Sequence, residues 1–438
     1  MKVQKFGGTS VGTPQRIKDV AALVTSLPSR NIIVLSAMSG TTNSLIEISN
    51  ALKNNDKDAA LKLKSDLYQK YGKVIDELYS TPQGKEKAKD IIDAIFSEID
   101  ARILAPYSHR RTEKEIVAKG EIISTNLMQE YLSEQSKDSV LISALDFMVT
   151  DENGEPDHSL IKQRLDEILK DLGDYDIIIT QGFICRNPQG EVDNLLRGGS
   201  DYTASIIGAA VGAEEVDIWT DIDGMHNNDP RFVEETSPVH NLHFEEAAEL
   251  AYFGAKILHP TCILPAKINN IPVRLLNTLE PEAEGTLINN ELEHGTIKAV
   301  AAKDNITAIK IKSSRMLLAY GFLKKVCEVF ENYRTPIDMI ATSEVGVSLT
   351  IDDDSHLTQI VTQLEKLGSV TVDRDMVIIC VVGDLEWQNR GFEARALDAL
   401  RNIPVRMISY GGSNYNISFL IHKSNKTQAL RLLSYHLF

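Results

Sequence analysis

The chain has 438 residues, 43% of them hydrophobic, and 46 lysines and arginines against 62 aspartates and glutamates give a net charge of −16. This size and apolar content predict a globular protein of two or three domains, and an acid excess spread along the chain argues against a nucleic-acid surface. Four separated cysteines (Cys185, Cys262, Cys327, Cys380) without a C-x-x-C pair support neither a zinc site nor a disulfide framework, and no apolar run is long enough to span a bilayer. Met1 leads straight into a strand, with no signal-peptide pattern, so a cytoplasmic location is expected. The first strand, around Val3, runs into Lys5-Phe-Gly-Gly-Thr-Ser10. Glycines let backbone N–H groups approach an anion, lysine adds a point charge, and a helix from Pro14 would aim its positive end at the same spot. The run reads as a phosphate cradle, although such a sequence alone also suits a plain turn. It is not a Walker loop, because the lysine precedes the glycines.

Further buried strands are expected at Asn31–Ser36, Val140–Ser143, Tyr175–Gln181, Val216–Thr220 and Pro272–Leu276, separated by helical patterns. Continuous apolar runs of this length predict a mainly parallel sheet covered on both faces. Residues 51–119 form a long, charged, helical excursion with turn residues near Ser80 to Gly84. After about residue 290 the rhythm changes and a module repeats. Gly321-Phe322 answers Gly391-Phe392. Helical stretches follow at Leu323–Tyr333 and Glu393–Arg401, then apolar strands at Pro336–Ile340 and Pro404–Ile408. Further strands are expected at Gly346–Ile351 and Asn416–Ile421. A duplicated small α+β module behind a catalytic-looking domain suggests regulation or dimerisation.

Four clusters fall at expected strand ends, where open α/β sheets bind ligands. Lys5 to Ser10 is the first, and the hydroxyl-rich Ser36-Ala-Met-Ser-Gly-Thr-Thr-Asn43 is the second. In the third, Leu196 to Thr203, Arg197 suits a carboxylate through two parallel hydrogen bonds or lies at the surface. Asp201 there either caps a helix starting near Tyr202 or orients a reacting group. The fourth, Thr220 to Arg231, offers carboxylates and Arg231 on a nucleotide side, while Asp229-Pro230 also fits an ordinary turn.

Taken together, KFGGTSV (Lys5 to Val11), SAMSGTTN (Ser36 to Asn43), GEIIST (Gly120 to Thr125), RGGSDYTA (Arg197 to Ala204), WTDIDG (Trp219 to Gly224), NDPR (Asn228 to Arg231) and FGAKILHP (Phe253 to Pro260) closely resemble aspartate kinase of the amino-acid kinase superfamily. The resemblance covers essentially the whole chain, since the duplicated module looks like the pair of ACT domains of that family. It implies an α/β fold: a three-layer kinase domain with a mainly parallel sheet over residues 1–292, then ferredoxin-like ACT domains at 304–372 and 373–438. A strand near 296–303 would join the second ACT domain.

The implied reaction is phosphoryl transfer from ATP, with Mg²⁺, to the β-carboxylate of L-aspartate. A carboxylate is already ionised at neutral pH and needs no general base, so catalysis reduces to positioning and charge neutralisation. Carried over by position, Lys5 and Lys256 face the phosphates and Asp201 holds Lys5 in register. Arg197 clamps the α-carboxylate, Glu121 takes the α-ammonium, and Ser36, Thr42 and Ser200 complete the substrate contacts. Gly7, Gly8, Thr220, Asp221, His226 and Arg231 lie on the nucleotide side. No tightly bound cofactor and no resident metal are implied.

Several positions depart from the family pattern: Leu196 replaces a usual glycine, His226 a frequent tyrosine, and Asn227-Asn228 a commoner Thr-Thr. The segment Met316 to Leu323 and Ile337 to Val345 resembles the first ACT domain of lysine-sensitive members, whose effector sits between the ACT domains of two subunits. Met316, Phe322, Leu323, Asp338, Ser343 and Glu344 are the effector candidates. Asp338 and Glu344 suit cationic groups, and Ser343 with backbone near Gly321 suits a carboxylate. Leu318 and Ala319 stand where lysine-sensitive members often carry polar residues, which leaves threonine open beside lysine. A homodimer through the ACT domains is implied. The alternative function is a non-catalytic ACT-type sensor, and a fused homoserine dehydrogenase activity is not expected.

Overall fold

A computed structural model describes residues 1–27, 30–108, 111–195, 198–254, 258–313 and 320–438. Its strands are β1 (Lys2–Phe6), β2 (Asn31–Leu35), β3 (Ser139–Leu141), β4 (Ile177–Gln181), β5 (Ile184–Arg186), β6 (Val192–Asn194), β7 (Val216–Thr220), β8 (Asn241–His243), β9 (Val273–Asn277), β10 (Thr286–Asn289), β11 (Ile297–Lys312), β12 (Ile340–Ser343), β13 (Gly346–Ile351), β14 (Ser369–Gly383), β15 (Val405–Ser409) and β16 (Asn416–His422). The chain divides into two compact units, residues 1–224 with 258–290, and residues 225–257 with 291–438.

In the first unit the strands lie in the order β3-β4-β2-β1-β7-β9-β10. All pairings from β3 to β9 are parallel, and only β10 runs antiparallel to β9. Both faces are covered. Phe6, Ile33, Leu35, Ile179 and Trp219 join one large core with the helices Pro14–Ser26, Thr41–Lys53, Lys57–Leu78 and Pro82–Leu104. Val3, Ile32, Val34, Ile178 and Ile218 are equally buried and, by strand alternation, point to the other face. Parallel pairing brings the loops after β1, β2, β4, β7 and β9 to one edge.

The excursion between residues 51 and 119 contains the long helices Lys57–Leu78 and Pro82–Leu104. Thr81 closes the turn between them by accepting from the Gly84 N–H at 3.0 Å. Their inward faces bury Tyr71, Ile75, Leu78, Ile92, Phe96 and Ile99, so only the outer face of this charged segment is solvated.

The second unit contains a sheet ordered β12-β13-β11-β14-β16-β15. The long strands β11 and β14 pair antiparallel along their lengths, with shifts around Lys303/Ile306 and Ile306/Ala308. Two cores sit on this shared spine. Ile309, Ile311, Val347 and Leu349 pack with the helices Phe322–Asn332 and Leu357–Leu364. Ile379, Val381, Phe419 and Ile421 pack with Phe392–Ala399 and Lys426–Leu437. The repeated Gly-Phe pairs are structurally equivalent. Gly321 and Gly391 cap the two matching helices at φ +78 and +91.

The first copy differs from the sequence expectation at one strand. Residues 336–339 do not form it, and β12 starts only at Ile340. Thr350 faces two residues there: its carbonyl accepts the Asp338 N–H at 2.9 Å, its hydroxyl accepts the Met339 N–H at 3.0 Å, and its own N–H donates to the Met339 carbonyl at 3.0 Å, so regular pairing begins only at Ile340. Among the described residues no helix is long and apolar enough to cross a membrane.

Candidate active site

Lys5 leaves β1 at its carboxyl end and is only 7% exposed. Its Nζ pairs with Asp201 Oδ1 at 2.6 Å. Asp201 does not cap its helix. That helix starts at Gly199, two positions earlier than Asp201, and Gly198 occupies the cap. The carboxylate therefore lies in the first turn, where it can hold the lysine. Backbone geometry requires the glycines here. Gly198 has φ +70, and a Cβ on it would lie 1.7 Å from Cys262 Sγ. Gly8 is constrained by contact, since its Cβ would stand 2.8 Å from the Ala37 carbonyl oxygen.

Beside this pair lies a cleft of about 350 Å³ whose walls include Gly8, Ser36, Thr42, Glu121, Phe183 and Ser200. Ser36 Oγ donates to Ser200 Oγ at 2.8 Å, tying the end of β2 to the helix that carries Asp201. Glu121 stands in the first turn of the helix Lys119–Glu134 and is almost wholly buried. Its Oε1 accepts the Ala37 N–H at 3.3 Å, and its Oε2 has no hydrogen-bond partner. Burial pushes its pKa up to about 7. A buried, half-satisfied carboxylate in a cleft can receive a cationic group from a ligand.

The nucleotide-side candidates divide. Thr220 ends β7, its hydroxyl bonds locally to residue 222, and its carbonyl accepts from Thr278 Oγ1 at 2.7 Å. Asp221 borders a small cavity with Ser10, Arg16 and Thr278. Gly7 adjoins the lysine, since a Cβ there would lie 3.3 Å from Lys5 Nζ. His226 and Arg231 belong to the second unit. His226 Nδ1 bonds Thr236 Oγ1 at 2.8 Å, and Arg231 is held by Asp229 at 2.7 Å. Arg197, Lys256 and Met316 lie outside the described residues.

The effector candidates in the second unit also differ among themselves. Phe322 is buried in the core with Val326 and Phe330, whereas Leu323 and Glu344 are exposed. Ser343 Oγ reaches the Gly346 carbonyl at 3.4 Å, across the turn that carries Glu344. Asp338 already has an internal cation. Lys303 Nζ is 2.7 Å from Asp338 Oδ1 and 2.9 Å from Asp352, and Tyr252 donates its hydroxyl to Asp338 at 2.8 Å.

The sequence reading missed two features. Phe183 lines the cleft at φ +67, a strained conformation for a bulky residue, held by its N–H to Thr203 Oγ1 at 2.9 Å. Its only sequence signal is its place directly after a strand-end glycine. Beneath the lysine loop, fully buried Gln4 donates to Asp217 and accepts from Trp219 Nε1, both at 2.6 Å. Alternation would have placed an apolar residue there. Among the described residues no group of three His, Cys, Asp or Glu is poised to hold a metal ion.

Compared with known proteins, residues 1–277 match the amino acid kinase family and residues 379–437 match the ACT domain. The chain is 33% identical over 454 residues to lysine-sensitive aspartokinase 3 of Escherichia coli K12, covering 100% of this chain and 99% of that one. The crystal structure of Escherichia coli aspartokinase III with lysine and aspartate (T-state) superposes with a TM-score of 0.81 at 32% identity, covering 100% of both chains. The same enzyme with aspartate and ADP (R-state) gives 0.80 at 32% identity, again covering 100% of both. With its strand-end glycine loop, its lysine–aspartate pair and this full-length similarity, the chain belongs to the amino acid kinase family and, within it, to the aspartokinases.

Proposed function

We propose that the protein transfers the γ-phosphoryl group of ATP to the β-carboxylate of L-aspartate, giving 4-phospho-L-aspartate, and that lysine inhibits it through the ACT region. The observation that carries this reading is the buried Lys5–Asp201 pair beside a cleft lined by Glu121, a buried carboxylate with one oxygen lacking a hydrogen-bond partner. The Escherichia coli relative is named a lysine-sensitive aspartokinase, and its structures hold aspartate with lysine or with ADP.

The acceptor arrives ionised, so no base is required, and the residues act by placement and charge. Lys5 neutralises charge on the transferred phosphoryl group, with Asp201 fixing the ammonium. Glu121 takes the α-ammonium, Arg197 the α-carboxylate, and Ser36, Thr42 and Ser200 give hydrogen bonds. Gly7, Gly8, Thr220, Asp221, His226, Arg231 and Lys256 serve the nucleotide, which enters as its Mg²⁺ complex. Met316, Phe322, Leu323, Asp338, Ser343 and Glu344 form the effector region. The proposal includes catalytic residues 1–292, ACT domains at 304–372 and 373–438 with the strand at 296–303 completing the second, a homodimer through these domains, and a cytoplasmic location.

A coupled assay of ADP release tests it. ADP should appear only with aspartate, ATP and Mg²⁺ together, and added lysine should reduce the rate. Equal or faster turnover with glutamate would overturn the substrate assignment. Lysine binding without any turnover would favour a sensor instead.

A further inference from the structure

Lys70 and Tyr71 belong to the helix Lys57–Leu78 in the charged excursion, and no motif singles them out. Both reach the same loop. Lys70 Nζ donates to the Ser39 carbonyl at 3.0 Å, and buried Tyr71 shares a 2.8 Å hydrogen bond with Thr41 Oγ1. Consecutive helical positions point about 100° apart, so the helix grips the loop from two directions. Ser39, Gly40 and Thr42 are walls of the cleft, and a Cβ on Gly40 would lie 3.8 Å from Lys70 Nζ. Among the described residues no carboxylate pairs with Lys70, and partial burial alone lowers its pKa from the ordinary lysine value. The protein as a whole is strongly acidic, yet this side chain meets a carbonyl oxygen of a cleft-wall residue instead of a carboxylate.

We propose that Lys70 is a positioning residue for the anionic acceptor: it fixes the Ser39–Gly40 turn and supplies a positive potential that draws a dicarboxylic amino acid into the cleft. The inference rests on the aspartokinase reading above. It does not make Lys70 a catalytic residue. Tyr71 anchors the same loop by packing and one hydrogen bond, without charge, and so provides an internal control.

Steady-state kinetics of the full chain tests it with Lys70→Met, Lys70→Arg and Tyr71→Phe. Lys70→Met keeps the aliphatic stem and should raise KM for aspartate about tenfold, with kcat within about twofold and KM for ATP unchanged. In the wild type kcat/KM for aspartate should fall with added salt. That dependence should flatten in Lys70→Met and return in Lys70→Arg. Tyr71→Phe should lower the thermal midpoint and leave the salt dependence intact. A Lys70→Met enzyme with wild-type aspartate KM and salt dependence would overturn the proposal. So would equal losses for aspartate and ATP together with a lowered midpoint, which mark a merely structural role. A wild type without aspartate-dependent ADP release would overturn both this inference and the reading beneath it.

Discussion

At the residue scale the proposed roles separate into charges that act on phosphate and charges that select the acceptor. Lys5→Ala should lower kcat by roughly a hundredfold or more, because a preorganised cation at a developing charge is typically worth several kcal/mol. Asp201→Asn should reduce kcat as well, since the Lys5 ammonium loses the carboxylate that fixes it at 2.6 Å. Glu121 gives a pH signature. Its folded pKa, raised to about 7 by burial, lies above the ordinary carboxylate value. Between those values the folded chain keeps a proton that the unfolded chain releases. Stability therefore falls as pH rises through that window and levels off above about 7. Asp217, pushed up to about 7 by burial with Glu215 beside it, slopes the same way. Urea unfolding from pH 5 to 8 should show this fall, and Glu121→Gln should shrink it by about 1–3 kcal/mol. In the same range kcat/KM for aspartate should rise as Glu121 ionises, a limb that Glu121→Gln removes. The buried carboxylates were legible in the sequence only where a motif named them. GEIIST pointed to Glu121, whereas nothing local marked Gln4 and Asp217, whose pairing joins positions 213 apart in sequence.

At the scale of elements, the start of the helix Gly199–Val211 depends on a backbone angle and a close approach at Gly198 that a side chain there would disturb. Gly198→Ala would force a positive φ and drive its Cβ into Cys262 Sγ. Chemical denaturation should show a loss of about 2–4 kcal/mol. Adding Cys262→Ala should recover the steric share and not the backbone share. Full recovery would show that crowding alone was at work. The strands that feed these loops were readable as continuous apolar runs, because parallel strands buried on both faces need little else. β12 starts later than expected because Asp338 and Met339 both pair irregularly with Thr350, and Asp338 is held by Lys303 and Tyr252 from elsewhere in the chain. The helices of residues 57–104 were expected, but the hold of Lys57–Leu78 on residues Ser39 and Thr41 was not. Charge patterns show a solvated face and give no partner for a single lysine.

At the scale of the molecule, the duplicated module was visible as a repeat, while the placement of residues 225–257 was not. That segment packs with residues 291–438: Val300 N–H reaches the Asn227 carbonyl at 2.8 Å, and Asn228 reaches the Leu430 carbonyl at 3.1 Å. Such contacts join positions far apart in sequence, and no local pattern announces them. For regulation, millimolar lysine should reduce activity several-fold to a hundredfold, matching a coupling of about 1–3 kcal/mol. Glu344→Ala, on an exposed turn, should relieve inhibition and leave the uninhibited rate near normal. Asp338→Asn should also lower thermal stability, because it removes one of the two carboxylates that hold Lys303 and weakens the acceptor of the Tyr252 hydroxyl. A lysine titration with melting curves for both variants separates these outcomes, and sedimentation tests for the proposed dimer.

The paired length of β11 and β14 also bears on how this region comes apart. Residues 297–312 pair with residues 369–383, and the same two strands underlie both cores. The two halves of the sheet use adjoining stretches of these strands, residues 297–303 with 378–383 and residues 306–312 with 369–376, so the same two continuous strands run through both. The duplicated modules should therefore melt as one cooperative unit instead of in two steps. Native-state amide exchange should report one common opening free energy for amides on both sides of the shift near Ile306, and two distinct plateaus would show that the halves open separately.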